Sequence, residues 1–402
     1  MISLFQKKTK TEIVTPIPQG KEPYLFNLYG ADKLNHNVVA VGYSGSGKTP
    51  FFKKLIEQEH NDSAPTTSIV VSSRGIEDYA DILQNFHAVQ VHQIKDFTIN
   101  PFDYCYENIG HTESKICSLL RSIANELSIV WKLEHTRLCG IYIHMLLDEK
   151  EEKSIPTLGQ MQELVLQNLM VEGKLTMDVF QELYSEYQPE NIKEFLLLEK
   201  HKPLYSLHQS LMVHIELLSI LSCFTEELSP YSAMFNGQTN VPDFSDSDLV
   251  LFDASSLSHQ LISFVSLLTD HVYHEQLKNS SVTYDSNRNK QRISFYHDLS
   301  YSCFDNPCYS YLVNRSLRLG RRFRYGIRLS LQTLDVNFIQ SELSNFSCIY
   351  FQKCSVDTLS SDIRQYIDLS ELECYLITQE MKLGEGYIPN KEIYLNSELV
   401  PY

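Results

Sequence analysis

The chain has 402 residues, enough for one large α/β domain or two ordinary ones. Its 43% hydrophobic and 21% charged residues, without low-complexity tracts, exclude a fibrous or largely disordered protein. A formal net charge of −16 opposes nonspecific adhesion to nucleic acid over the whole surface and leaves room only for a local basic channel.

Residues 1–20 read as a basic, poorly ordered lead without the uninterrupted apolar stretch of a signal peptide. No apolar run approaches the ~20 residues that span a bilayer, so a cytoplasmic protein is expected. The nine cysteines are scattered. Cys303 and Cys308 lack a second cysteine or histidine pair at metal-site spacing, and thiols rather than a zinc site are expected.

A short strand is predicted at Tyr24–Tyr29, followed by Asn37–Val41, whose β-branched residues suit a buried parallel strand. That run feeds into a glycine-rich loop, Gly42–Thr49. Beyond it Phe51, Phe52, Leu55 and Ile56 fall on one stripe of a helix. Ser68–Val71 is a second buried strand, Gly75–Gln84 a loop entering a helix, and Ala88–Val91 a third strand. Strand and helix in such alternation predict a parallel sheet with helices on both faces.

From 112 to 226 the spacing turns helical, at Ile116–Leu127, Leu138–Leu147, Leu158–Leu169 and Leu204–Ile220; the acidic stretch Asp148–Lys153 reads as a solvated turn. Strand character returns at Asp248–Asp253, Arg292–Tyr296, Ile327–Leu331 and Ser347–Tyr350. A helix over Leu257–Gln276 carries Phe264, Leu267, Leu268 and Val272 on one stripe. After Leu369 a small helix and extended chain are expected. The predicted organisation is a flexible lead at 1–20, then one α/β domain made of 21–111 and 227–402, interrupted by a mainly helical insertion at 112–226.

Gly42-Tyr-Ser-Gly-Ser-Gly-Lys-Thr49 fits the phosphate-loop pattern G-x-x-x-x-G-K-[ST], between a buried strand and an amphipathic helix. Its glycines let successive N–H groups turn around a phosphate, and the helix N-terminus adds its dipole. The candidate nucleotide-binding residues are Gly42, Ser44, Gly45, Ser46, Gly47, Lys48 and Thr49. Lys48 is expected at the β- and γ-phosphates and Thr49 on Mg²⁺. Pro50 cannot donate the N–H that follows the threonine, so nucleotide affinity should fall without being abolished.

A metal-holding acid and a carboxylate that polarises water are also required. The candidates are His297 and Asp298, behind the strand that begins at Arg292. In one register His297 takes the metal side and Asp298 the base position. In the other Asp298 holds the metal and Leu299 stands at the base position. One carboxylate is missing in both. Gln332, after Ile327–Leu331, is placed at the C-terminal sheet edge facing the nucleotide. Six arginines, Arg315, Arg318, Arg321, Arg322, Arg324 and Arg328, have three readings: an exposed helix face, a trans-acting supply for a neighbouring subunit's nucleotide, or a contact surface for DNA or an acidic partner.

With these blocks in view, the chain resembles the TraC-type conjugation ATPases of type IV secretion, relatives of the FtsK and HerA DNA-translocating motors. The resemblance rests on Phe26-Asn27-Leu28, Asn35-His36-Asn37, Gly42–Thr49 with Phe51-Phe52, Asp78-Tyr79 and Asn100-Pro101-Phe102. It continues through Met234-Phe235-Asn236-Gly237 with Leu249–Asp253, Arg318 with Arg321-Arg322, Tyr325-Gly326, Leu331-Gln332 through Asp335, and Gly384-Glu385-Gly386. It implies a RecA-like P-loop NTPase using ATP and Mg²⁺, assembled as a homo-oligomer, suspected to be a hexamer. Such an enzyme works at the cytoplasmic face of the inner membrane through secretion or conjugation partners. Members of that family often carry a large N-terminal docking domain; with a sequence that begins almost at the motor region, the expectation is a motor that works without that domain or obtains docking from another polypeptide. Three departures, Pro50, Ser72-Ser73 where relatives carry an aspartate, and His297-Asp298 in place of paired acids, imply slow hydrolysis or a nucleotide-binding subunit dependent on a partner.

Overall fold

The computed structural model describes residues 36–62, 65–148, 154–170, 202–227, 229–244, 246–256, 260–282, 292–299, 303–320, 324–334, 342–382, 385–388 and 393–396. The expected lead at 1–20, the strand at Tyr24–Tyr29, and Arg321, Arg322, Asp335 and Gly384 lie outside these residues. The chain divides into two compact units, one formed by Met1–Ile94 with Pro242–Tyr402 and the other by Lys95–Val241.

The first unit is built on a nine-stranded sheet. Its strands are β1 (Val38–Val41), β2 (Thr66–Ser72), β3 (Val89–Gln93), β4 (Leu249–Asp253), β5 (Arg292–Asp298), β6 (Tyr325–Leu331), β7 (Cys348–Gln352), β8 (Glu385–Ile388) and β9 (Ile393–Asn396). The order across the sheet is β3-β4-β2-β5-β6-β1-β7-β8-β9. All pairs from β3 to β7 are parallel, and β8 and β9 close one edge as antiparallel strands.

Helix α1 (Lys48–His60) follows β1 through the glycine-rich loop. Its predicted stripe is the buried one: Phe51, Phe52, Leu55 and Ile56 all enter the core. Phe51 stacks on Tyr350 of β7 with ring centroids 3.9 Å apart, and Phe52 meets Tyr296 of β5 edge-on at 5.3 Å. These contacts fix the start of α1 against the middle of the sheet.

The helical unit contains α2 (Ile109–Glu126), α3 (Leu133–Asp148), α4 (Lys202–Ser222) and α5 (Pro230–Phe235), and residues 158–170 are also helical. Asn108 caps α2 by accepting from His111 N at 3.0 Å. The turn at Asn100 is pinned from inside, since its buried amide donates to the Pro156 carbonyl at 2.7 Å and accepts from Phe102 N.

In the sheet unit, α6 (Gln260–Val282) and α7 (Pro307–Leu319) pack against each other. Phe264, Leu267, Leu268 and Val272 are buried as the stripe predicts. Helices α8 (Ser361–Ile367) and α9 (Glu371–Tyr375) precede β8. The segment read as a loop entering a helix holds two single 3₁₀ turns, Glu77–Tyr79 and Leu83–Asn85. Tyr79, Ile82 and Phe86 are buried in the core, and Ile76 and Leu83 pack against it, so the helical spacing of these residues is met by separate turns rather than by a continuous helix. No helix among the described residues is long and apolar enough to cross a membrane.

Candidate nucleotide site

The glycine-rich loop is tied down at its entry and again at Ser46. Gly42 N donates to the Leu331 carbonyl at 3.0 Å and Tyr43 N to Lys353 at 3.2 Å, which fastens the loop's entry to the ends of β6 and β7. A side chain at Gly42 would meet Ser46 Oγ at 2.5 Å and Gln352 Cβ at 3.0 Å, so glycine is the residue that fits. Ser46 Oγ donates to Gln352 Oε1 at 2.9 Å.

Gly45 and Gly47 adopt left-handed backbone angles, φ 79° and 110°. This conformation costs glycine little, and it turns the intervening N–H groups toward one side of the loop. Gly45 faces open space. Gly47 is the N-cap of α1 and has no side-chain cap, and the first N–H groups of a helix have no intrahelical partner. Pro50 supplies none, so the helix start presents one donor fewer than a chain with another residue there.

Lys48 Nζ donates to the Gly42 and Tyr43 carbonyls at 2.5 and 2.9 Å. Its pKa is lowered to about 8, chiefly by burial, with the Arg74 charge acting in the same direction and Asp298 and Cys354 opposing it.

Thr49 Oγ1 donates to Asp298 Oδ2 at 2.7 Å, and the buried hydroxyl of Tyr79 donates to the same oxygen at 2.9 Å. Burial, reinforced by the Asp298 charge, raises the phenol pKa well above its ordinary value, so Tyr79 stays a donor. Asp298 sits at the end of β5 in register with Ser72 of β2, whose other neighbour in register is Asp253 of β4. Asp253 is engaged locally, accepting from Ser255 N and Gln93 Nε2 at 2.9 Å each.

Adjacent residues of a strand face opposite sides of the sheet, and this separates the two acid-position candidates. Tyr296 and Asp298 face α1, where Tyr296 OH donates to Glu59 Oε2 at 2.6 Å. His297 faces α6 and α7: its Nε2 lies 3.1 Å from Thr269 Oγ1 and its Nδ1 2.6 Å from Tyr309 OH. Burial lowers its pKa to about 3. The imidazole is therefore a neutral core group on the far face of the sheet from Lys48 and Thr49. Behind Asp298 comes Leu299, which is buried and apolar.

Gln332 is half-buried directly after β6, beside the point where Gly42 bonds the Leu331 carbonyl. It thus shares the sheet edge from which the loop departs.

The described arginines of the cluster do not form one surface. Arg328 projects from β6 into the core and is fully buried. It is ion-paired with Glu59, bonded to the His36 carbonyl, and donates to Ser294 Oγ at 3.0 Å. A charged residue at an inward strand position reaches the core only with such partners. Arg315 pairs with Asp270 at 3.1 Å, and Arg318 with the buried Glu342. Arg324 is exposed.

The sequence reading assigned no role to Tyr79 as a donor to Asp298, to Arg74, or to the Glu59–Arg328 pair. The only signal for the last was an arginine inside an apolar strand.

No family model matches the chain, and no curated protein matches it by sequence. Among solved structures, VirB4 of Thermoanaerobacter pseudethanolicus superposes with a TM-score of 0.58 at 14% identity, covering 96% of this chain and 99% of that one. The bacterial conjugative coupling protein TrwBdeltaN70 in its trigonal form with sulphate gives 0.47 at 12% identity, over 91% and 86% of the two chains. Its unbound monoclinic form gives 0.49 at 13%, over 88% and 82%. The VirB4 likeness is one of fold. Together with the parallel sheet and the loop between β1 and α1, it identifies a RecA-like P-loop NTPase fold.

Proposed function

We propose that the chain is an ATP-binding and slowly ATP-hydrolysing motor subunit that energises conjugation or type IV secretion. The single observation that carries the nucleotide reading is the Thr49–Asp298 contact. It brings a hydroxyl and a carboxylate, two hard oxygen ligands suited to Mg²⁺, to the start of the helix behind a phosphate loop. The motor reading rests on the VirB4-like fold and on the ordered sequence blocks.

In this account the N–H groups of Gly45, Gly47, Lys48 and Thr49 cradle the phosphates, with Ser44 and Ser46 completing the loop. Lys48 exchanges the Gly42 and Tyr43 carbonyls for the β- and γ-phosphate oxygens. Thr49 and Asp298 would hold Mg²⁺, and the ion would supply neutralisation of charge on the phosphoryl group. Gln332 orients water at the γ-phosphate. His297 has no part in the chemistry, because it lies on the opposite sheet face.

Slow turnover follows from two local features. Leu299 stands where a water-polarising carboxylate would serve, and Pro50 withholds a donor. The same features favour a second reading, a nucleotide-binding subunit whose role is structural.

Arg318, Arg321 and Arg322 are proposed as trans-acting or partner-contact residues of a homo-oligomer, a hexamer by the family resemblance. Its partners would be secretion or conjugation components at the inner face of the cytoplasmic membrane, and DNA contact belongs to the same proposal. Steady-state ATP hydrolysis by the wild type and by Lys48→Ala, alone and with candidate partners, tests the motor reading. Hydrolysis abolished by Lys48→Ala supports it. Equal background rates in both proteins, with and without partners, would leave only the structural reading.

A further inference from the structure

The chain leaves β2 at Ser72 along a path that two hydrogen bonds and a glycine turn fix. Ser73 N donates to the Asp298 carbonyl at 3.1 Å, and Arg74 N donates to Ser72 Oγ at 3.3 Å. Gly75 then turns with φ 101°, where a side chain would meet Glu77 Oε2 at 2.4 Å. Held between these points, Arg74 directs its guanidinium at the phosphate loop, donating from Nη2 to Ser44 Oγ at 2.7 Å.

Ser44 is the one side chain that the Arg74 guanidinium bonds among the described residues, although the group carries five N–H donors. No carboxylate of the described residues pairs with it. Two cations, Lys48 and Arg74, thus converge on the loop, with the Asp298 carboxylate acting on Lys48 and the Arg74 guanidinium bonded to a neutral hydroxyl, in a chain whose net charge is −16. Two cations at one point of an acidic protein are suited to a polyanion.

We infer that Arg74 is a phosphate-binding residue supplied in cis by the turn after β2, and that it contacts the outermost phosphate of a bound nucleoside triphosphate. The inner phosphates are enclosed by the loop's own N–H groups. A side chain that reaches the loop from its exposed side meets the group that projects beyond them. The planar guanidinium matches two oxygens of a terminal phosphate at once, and Ser44 holds it in place beforehand. Arg74 therefore makes the site discriminate triphosphate from diphosphate. The inference rests on the nucleotide reading of the loop.

The test is equilibrium binding of the full chain to Mg·ADP and to a Mg-bound non-hydrolysable ATP analogue, for wild type, Arg74→Ala, Arg74→Gln and Lys48→Ala. Loss of Arg74 is expected to weaken the analogue about tenfold or more, and ADP by less than about threefold. Arg74→Gln, which keeps much of the side chain's length without the charge, carries the same expectation should Arg74→Ala fold poorly. If wild type binds both ligands, Lys48→Ala loses both, and the Arg74 variants leave the triphosphate-to-diphosphate ratio unchanged, Arg74 has no such role and the nucleotide reading stands. If wild type binds neither, or Lys48→Ala binds as wild type does, the nucleotide reading fails and the role of Arg74 fails with it.

Discussion

The hydroxyl of Thr49 at the start of α1 donates to the carboxylate of Asp298 at the end of β5 over 2.7 Å, joining residues 249 positions apart in sequence. A second hydroxyl, from Tyr79, converges on the same oxygen. Asp298→Asn keeps the shape and removes the charge. It is expected to reduce Mg²⁺-dependent hydrolysis roughly 100-fold or more, as several kcal/mol of metal-borne charge stabilisation is lost. Tyr79→Phe should instead raise the Mg²⁺ concentration needed for half-maximal nucleotide binding, with a smaller effect at saturating metal. Titrating Mg²⁺ against nucleotide binding separates the two variants, and a Tyr79→Phe curve identical to wild type would remove Tyr79 from the site.

Pro50 gives a prediction of opposite sign. Restoring an N–H with Pro50→Ala adds one charge-assisted hydrogen bond to phosphate, worth about 1.5–3 kcal/mol. Nucleotide affinity should rise by roughly tenfold or more. Calorimetric titration of the variant measures this directly, and unchanged affinity would mean that position 50 does not face the phosphates.

The Arg328–Glu59 pair lies fully inside the sheet unit, so removing one partner strands the other's charge. Glu59→Gln is expected to cost about 3–5 kcal/mol in stability. Denaturant melts of Glu59→Gln, Arg328→Met and the double variant check it. The double variant should be less destabilised than the sum of the single ones.

His297 supplies a pH dependence. Its folded pKa is about 3, against an ordinary value of 6.5, so between those values the unfolded chain binds the extra proton. The contribution is complete above pH 6.5 and is lost as pH falls toward 3, with a slope near 1.4 kcal/mol per pH unit at most. Stability measured at pH 7 and pH 5 should fall less in His297→Gln than in wild type. An equal fall in both would show that His297 is not held neutral.

Much of the sheet was legible because buried parallel strands write themselves as apolar runs. Val38–Val41, Ser68–Val71 and Leu249–Phe252 contain almost nothing else, and all lie in the core. The stripe Phe51, Phe52, Leu55, Ile56 was legible for the same reason in helical period. The antiparallel strands β8 and β9 were read only as extended chain: each has four residues, too short for alternation to show.

At the site, the loop pattern located Lys48 and Thr49, while the choice between His297 and Asp298 required knowing which residue of β5 faces α1. That parity is set by tertiary packing, through Tyr296 against Phe52 and Glu59. Arg74 and Tyr79 were hidden because their partners, Ser44 and Asp298, lie 30 and 219 positions away in sequence and are met only in the folded chain. The run of arginines suggested a surface that Arg328 does not join, since a linear charge cluster does not reveal which members point inward.

The central claim is that Gly42–Thr49 and Asp298 together bind a Mg-nucleotide. The most direct measurement is calorimetric binding of a non-hydrolysable ATP analogue to wild type and Lys48→Ala, each with Mg²⁺ and with chelator. Lys48 has a pKa of about 8, and its charged form is the one that attracts phosphate. The account predicts metal-dependent binding to wild type that weakens as pH rises through 8 and is lost in Lys48→Ala. Binding that is absent from wild type, or that persists unchanged in Lys48→Ala, would contradict it.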